Sequence, residues 1–229
     1  MRTRLSGPDK IPRMPSILVL GATGLVGRAA VDLLLDDSRF ERVVTLTRRP
    51  LGRPPHPRLE QKVSAMTDLE DDRAAFRCDA ILSALGTTIA KAGSQEAFRA
   101  VDFDLPLRAA RMALAEGARH FLLVSSIGAD AGSRMFYTRV KGELEDAILA
   151  LGFRSVTIVR PSLLVGTRED LRPTESIGRY LMALAPARYR PVHGREVAAA
   201  LLAAALADHP GATILESEQI RDPFPASRS

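Results

Sequence analysis

Tyr137 and Lys141 stand four residues apart in a stretch of helical periodicity, so both side chains fall on one face and can reach one pocket. An ordinary phenol, with a pKa of about 10, is a poor base at neutral pH, and an adjacent ammonium stabilises its phenolate. Such a pair can exchange a proton with a substrate oxygen. Ser125 and Ser126 lie twelve and eleven residues before the tyrosine, at the end of an apolar run, where a hydroxyl can hydrogen-bond a carbonyl. Ser126 is the preferred catalytic serine, the alternative for either residue being to cap the strand end and bond backbone.

A second constellation sits near the start of the chain. The apolar run Ile17-Leu18-Val19-Leu20 leads into Gly21-Ala22-Thr23-Gly24-Leu25-Val26-Gly27, which opens an amphipathic stretch through Leu34. Gly21 permits a tight turn, Gly24 lets backbone approach a pyrophosphate, and Gly27 allows close helix–strand packing. Free N–H groups and the positive end of the helix dipole then face the anion. About twenty residues beyond Gly27, where an acid would hold the ribose hydroxyls of NAD, stand Arg48 and Arg49. Guanidinium groups there suit a 2′-phosphate through bidentate, charge-assisted bonds. The pattern therefore predicts NADP(H), with NAD(H) as the alternative, and redox chemistry.

The elements that must hold these residues alternate between strand and helix, without an internal repeat. Strands are predicted at Val43–Thr47, Gln61–Ala65, Ala80–Leu85, Phe121–Val124, Ser155–Val159 and Ala212–Leu215. Helices are predicted over Gln95–Ala115, Arg134–Leu151 and Glu196–Ala207, with Gly117 as a stop signal and irregular chain through Pro191. This alternation implies a parallel sheet with helices on both faces and ligand sites at the carboxyl ends of its strands. The chain's 229 residues fit one such domain with a substantial core.

Composition narrows the function classes. The net charge of +5 is scattered and aromatic residues make up only 5%, which argues against a nucleic-acid surface. No apolar stretch approaches the ~20 residues of a membrane span, and residues 1–15 read as a flexible basic leader rather than a signal sequence. A cytoplasmic protein is expected. The single cysteine, Cys78, reads as a buried structural thiol, and His56, His120, His193 and His209 show no metal spacing, so no metal is assigned. The acidic run around Asp68, Glu70, Asp71 and Asp72 reads as a helix start, with Asp68 near enough to the third strand's end to touch an adenine.

The glycine turn, Ser125-Ser126 and Tyr137-x-x-x-Lys141 resemble the short-chain dehydrogenase/reductase superfamily. Leu85-Gly86-Thr87-Thr88, Lys91-Ala92-Gly93, Phe98-x-x-Val101-Asp102, Gly128-Ala129-Asp130, Val140-Lys141-Gly142-Glu143 and Arg160-Pro161-x-x-Leu164, followed by Arg168 and Arg172, resemble its atypical Tat-interacting-protein oxidoreductase branch. The resemblance runs from Ser16 onward and implies a single Rossmann-type, doubly wound, mainly parallel α/β domain, with a small substrate-binding part at about 162–229. It implies that Thr23 sits in the phosphate loop, that Arg48 and Arg49 hold the adenosine phosphate, and that Leu85 and Gly86 line the cofactor. Tyr137 would be the acid/base, Lys141 would bridge the nicotinamide ribose hydroxyls, Leu164 would approach the nicotinamide, and Arg172 would reach a cofactor or substrate anion. Leu85-Gly86-Thr87-Thr88 replaces the asparagine-asparagine-alanine-glycine segment of ordinary members, so no catalytic asparagine is assigned.

The expectation is an NADPH-dependent oxidoreductase acting on a small carbonyl or alcohol, as a monomer or homodimer. Its substrate pocket is expected between Gly166 and Pro191, among Arg168, Arg172, Arg179, Tyr180 and neighbours. A cofactor-binding redox sensor or scaffold is the alternative, and a nucleotide-sugar epimerase ranks last because the tail is short for that substrate.

Overall fold

The computed structural model describes residues 16–165 and 186–223. Seven strands form one sheet in the order β3-β2-β1-β4-β5-β6-β9, and every neighbouring pair is parallel. The strands are β1 Ser16–Leu20, β2 Arg42–Thr47, β3 Leu59–Val63, β4 Ala80–Ser83, β5 His120–Val124, β6 Ser155–Arg160 and β9 Gly211–Glu216. Two short strands, β7 Leu164–Val165 and β8 Val192–His193, pair outside the main sheet. The strand order reverses between β1 and β4, which places a crevice at their carboxyl ends.

Alternate side chains of the central strands enter opposite cores. Ile17, Val19, Leu82 and Leu122 pack with helices α1 Leu25–Asp36 and α6 Gly194–Ala207, whereas Leu18, Leu20, Ile81 and Phe121 pack with α4 Leu105–Ala115 and α5 Phe136–Leu149. Both faces of the sheet are thus covered, which is why its strands read as continuous apolar runs rather than alternating ones. The small residues Ala30, Ala198 and Ala205 let α1 and α6 lie close together.

The sequence places most elements within two residues, and the differences have physical causes. β3 begins two residues before its expected start; at the sheet edge its residues are half-exposed or exposed and carry little apolar pattern. The helix expected over Gln95–Ala115 is three pieces: α3 Gln95–Arg99, a π-helical segment Ala100–Asp104, and α4. A short α2, Ile89–Ala92, and the β7–β8 pair fall where the sequence suggests loop. Helix α6 starts two residues early because His193 and Glu196 form a reciprocal cap. The acidic run leads into a 3-10 helix, Glu70–Phe76, with the Asp68 carboxylate accepting the Glu70 N–H.

Cys78 is buried, its Sγ 3.3 Å from the Phe76 carbonyl oxygen, and burial pushes its thiol up to about 12. His120 is the first residue of β5 and wholly buried. Its Nε2 lies 2.9 Å from Thr157 Oγ1, and its Nδ1 lies 3.7 Å from Asp208 at the end of α6. Desolvation lowers its pKa from 6.5 to about 4, the nearby Asp208 carboxylate opposing that shift.

His120 therefore binds its proton less readily folded than unfolded, so its contribution to stability is present above about pH 6.5 and lost as the pH falls to about 4. Melting curves across this window should show a decline that is shallower in His120→Gln, the difference amounting to at most about 3 kcal/mol. Parallel declines in both proteins would contradict this assignment.

Candidate active site

The glycine turn leaves β1 for α1 through three different constraints. Gly21 has φ +76°, and a Cβ on it would stand 2.3 Å from the Ala84 carbonyl oxygen, so only glycine fits against the end of β4. A Cβ on Gly27 would stand 2.2 Å from the Gly21 oxygen, which fixes how tightly α1 folds back on the turn. At Gly24 the nearest atom would be the Gly21 oxygen at 3.3 Å, with nothing else within contact distance, so this position opens outward. Gly24 is the N-cap of α1, no side chain caps the helix, and no acid occupies its first turn. The N–H groups of that turn are left to an external anion.

Beside the turn is a cavity of about 590 Å³ whose wall includes Thr23, Arg28, Asp32, Arg49 and Arg53. Arg49 is the expected arginine; Arg48, also exposed, is not among the lining residues. Arg28 and Arg53 join it from α1 and from the loop after β2, and neither stood out in the sequence because their convergence needs the fold. Arg53 Nη1 donates to Asp32 at 2.9 Å, while its buried Nε has no hydrogen-bond partner among the described residues. Val26 packs in the core, so its side chain is not free for a ligand, whereas Leu25 is exposed. Asp68 lines a separate cavity of about 340 Å³ with Arg108 and Met112.

Helix α5 carries Tyr137, Lys141 and Glu145 at intervals of one turn, on one stripe. Tyr137 is half-buried, with its ring 5.6 Å from that of buried Phe98, and its hydroxyl has no partner among the described residues. Lys141 is buried, its Nζ 3.0 Å from Asp102 Oδ1. Glu145 is buried and receives the Ser125 hydroxyl and the Arg160 guanidinium. Those bonds raise the Arg160 pKa, with Glu216 assisting. Ser125 is thereby committed to tying β5 to α5. Ser126 is half-buried, and its hydroxyl makes only a long 3.3 Å contact to the next carbonyl. The loop beyond it lies hard against α5, since a Cβ on Gly142 would stand 2.2 Å from the Ala131 nitrogen.

Asp102 is the residue the sequence reading did not assign. Its signal is an acid four residues after Phe98 in an otherwise apolar helical stripe. The structure places it in the π-helical segment, where its Oδ2 accepts the Thr87 N–H at 2.8 Å. Leu85 packs on the core and Gly86 lies beside Asp102 and Lys141. Leu164 is half-buried in β7, away from the main sheet. Arg168, Arg172, Arg179, Tyr180, Leu181 and Met182 lie outside the described residues. Among the described residues no cluster of three or more metal-ligating side chains occurs, and no helix is long and apolar enough to cross a membrane.

A Gly-rich turn at the end of β1, in a parallel sheet of this order, defines a dinucleotide-binding protein. The family described as NAD(P)H-binding matches residues 21–210, and the chain belongs to that family. It is 35% identical over 212 residues to the mitochondrial protein FMP52 of Eremothecium gossypii, covering 89% of this chain and 94% of that one. Similar identity, 35% over 175 residues, relates it to the mitochondrial protein fmp52 of Emericella nidulans, covering 73% and 74%. Among solved structures, MoeE5 in complex with UDP-glucose and NAD superposes with a TM-score of 0.68 at 18% identity, over 90% of this chain and 79% of that one. A short-chain dehydrogenase/reductase superfamily protein from Agrobacterium tumefaciens with bound NAD gives 0.67 at 20%, over 88% and 77%. The fold and the relatives together fit an atypical short-chain dehydrogenase/reductase.

The names of the relatives correct one expectation. They are mitochondrial proteins, which overturns the cytoplasmic assignment. That assignment rested on the lack of a secretory signal and of a membrane span, neither of which distinguishes cytosol from organelle.

The glycine geometry separates two roles. Gly24→Ala should lower the melting temperature only slightly, by about 2 °C, since its methyl meets just the Gly21 oxygen at 3.3 Å and alanine is the poorer N-cap, yet bind NAD(P)H at least about tenfold more weakly by obstructing an anion's approach to the turn. Gly27→Ala should lower the melting temperature by about 5 °C as well, since backbone must move. Thermal melts and cofactor titrations of the two variants check both statements; unchanged affinity in Gly24→Ala would contradict the assignment.

Proposed function

We propose that this protein is an NADPH-dependent oxidoreductase that interconverts a carbonyl and an alcohol, with Tyr137 as acid/base. The observation that carries this reading is the Tyr137 hydroxyl, without a partner among the described residues, one helical turn from buried Lys141, with the lightly held hydroxyl of Ser126 nearby in sequence at the end of β5. A helix that buries a lysine accepts a desolvation cost that its ion pair with Asp102 only roughly offsets, and ionisable groups held in this way cluster at functional sites.

The residues divide the work. Gly21, Gly24 and Gly27, with Thr23, Leu25 and the backbone of Val26, would hold the pyrophosphate, and Leu85, Gly86 and Leu164 would flank the dinucleotide. Arg49, with Arg28 and Arg53 across the same cavity and exposed Arg48 next to it, would bind the 2′-phosphate; the orphaned Nε of Arg53 is a donor in want of an acceptor. Arg172 would add a contact to a cofactor or substrate anion. Bound NADPH supplies the hydride. Ser126 would orient the carbonyl oxygen, Tyr137 would give its hydroxyl proton to that oxygen as charge develops on it, and Lys141 would hold the ribose next to the nicotinamide. In the reverse direction Tyr137 would take the alcohol proton.

Two measurements test the reading. Fluorescence titration at fixed ionic strength should show NADPH binding at least tenfold tighter than NADH, about 1.4 kcal/mol, and Arg28→Ala with Arg49→Ala should abolish the difference. A panel of aldehydes, ketones and quinones should reveal NADPH oxidation that falls by at least ~100-fold in Tyr137→Phe with cofactor affinity retained. Equal, negligible rates in both proteins would leave a cofactor-binding sensor as the better reading.

A further inference from the structure

We infer that Asp102 is the positioning residue that holds Lys141 at the nicotinamide ribose and joins it to the cofactor-facing loop after β4. The inference rests on the oxidoreductase reading above and names a residue that the reading does not contain.

Asp102 is 1% exposed and lies within the π-helical segment Ala100–Asp104. Such widened turns cost regular hydrogen bonding and recur at functional sites. One carboxylate oxygen lies 3.0 Å from Lys141 Nζ and the other accepts the Thr87 N–H at 2.8 Å. Gly86 closes the group, since a Cβ there would sit 3.5 Å from Asp102 Oδ1 and 4.0 Å from Lys141 Nζ. A single acid therefore links the π segment, α5 and the loop Leu85-Gly86-Thr87-Thr88, the place where no catalytic asparagine could be assigned.

Counting donors shows what the arrangement is for. An ammonium has three N–H donors, and a buried one normally has each of them met. Among the described residues Asp102 is the only partner of Lys141, and the contact is ionic without a well-aligned hydrogen bond to Oδ1. Glu145, one turn along the same helix, differs: its carboxylate is bonded by Ser125 and Arg160. The Lys141–Asp102 pair is thus fixed in place yet chemically incomplete, with donors left for the two hydroxyls of a ribose. A pair serving stability alone gains little over apolar side chains of the same volume.

The test compares two ligands on the full-length protein: NADPH, which carries the nicotinamide ribose, and adenosine 2′,5′-bisphosphate, which does not. Asp102→Asn keeps an acceptor for Thr87 and removes the charge that holds Lys141. It should weaken NADPH at least tenfold and leave the bisphosphate within twofold. Lys141→Met should do the same, and combining the two changes should cost nothing further, because both remove one arrangement. Equal loss of both ligands would make Asp102 a merely structural residue, and unchanged NADPH affinity or additive losses would overturn the inference. If Asp102→Asn does not fold, Asp102→Leu with Lys141→Met replaces the pair by apolar side chains: selective loss of NADPH supports the inference, and wild-type affinity overturns it. Failure of the unmodified protein to bind NADPH would remove the oxidoreductase reading and this inference together, whereas NADPH binding indifferent to these variants would remove only the role of Asp102.

Discussion

Helix α5 carries a buried lysine and a buried glutamate one turn apart, and a charged side chain without a partner in the interior costs several kcal/mol. The helix can therefore sit only where both charges are met. Lys141 finds Asp102 from the π segment, and Glu145 finds Arg160 from the end of β6 and the hydroxyl of Ser125 from the end of β5. These contacts fix rotation, depth and axial position together. Tyr137, one turn before Lys141, is delivered to the carboxyl ends of the strands as a consequence, with Phe98 against its ring. Tyr137 needs no anchor of its own because the two ion pairs anchor the helix that bears it.

The glycine turn works by a complementary logic, in which backbone replaces side chains. Gly21 lets β4 come close, Gly27 lets α1 come close, and the result is a helix N-terminus aimed across the crevice at the switch of strand order. Gly142 does the same for the other wall, allowing the loop after Ser126 to rest against α5. Three close backbone approaches thus hold the glycine turn, a serine and a tyrosine on one rim of the sheet. The opposite edge holds His120, Asp208 and Arg154, with Asp208 within ion-pair distance of the other two.

Much of this was legible because parallel strands buried on both faces announce themselves as apolar runs. Ile17–Leu20, Ala80–Leu85 and Phe121–Val124 needed no further context, and the glycines marked the turns. What escaped detection has little local signal. Edge strand β3 is half-exposed; a π-helical segment differs from an α-helix in hydrogen-bond register, not composition; and two-residue strands are shorter than any periodicity. Arg28 and Arg53 belong to a site only through the packing of α1 against the loop after β2, so sequence showed Arg48 and Arg49 alone. Asp102 was visible as an acid on an apolar stripe, but its meaning depended on Lys141, a helix and a strand away. The distinction between Ser125 and Ser126 likewise required Glu145, whose one-turn spacing from Lys141 was in plain view. Compartment has no signature in the fold at all.

The two ends of the crevice are unequal in their electrostatics. Around α5 the charges are largely buried and paired, Lys141 with Asp102 and Glu145 with Arg160, which also reaches Glu216, so the field there is fixed and little screened by salt. Beside the glycine turn Arg28, Arg49 and Arg53 crowd one cavity with Asp32 as the only acid among the described residues of its wall, and Arg48 adds to the surplus. Like charges held close repel one another, and Asp32 offsets one of them through Arg53. An anion in this cavity would relieve that repulsion through charge-assisted hydrogen bonds. Because these side chains are exposed or half-exposed, that contribution weakens with ionic strength, whereas the geometry of Tyr137, Lys141 and Asp102 does not. The cationic cavity beside the glycine turn and the buried ion pairs around α5 are therefore governed by separate physical terms, on either side of one crevice.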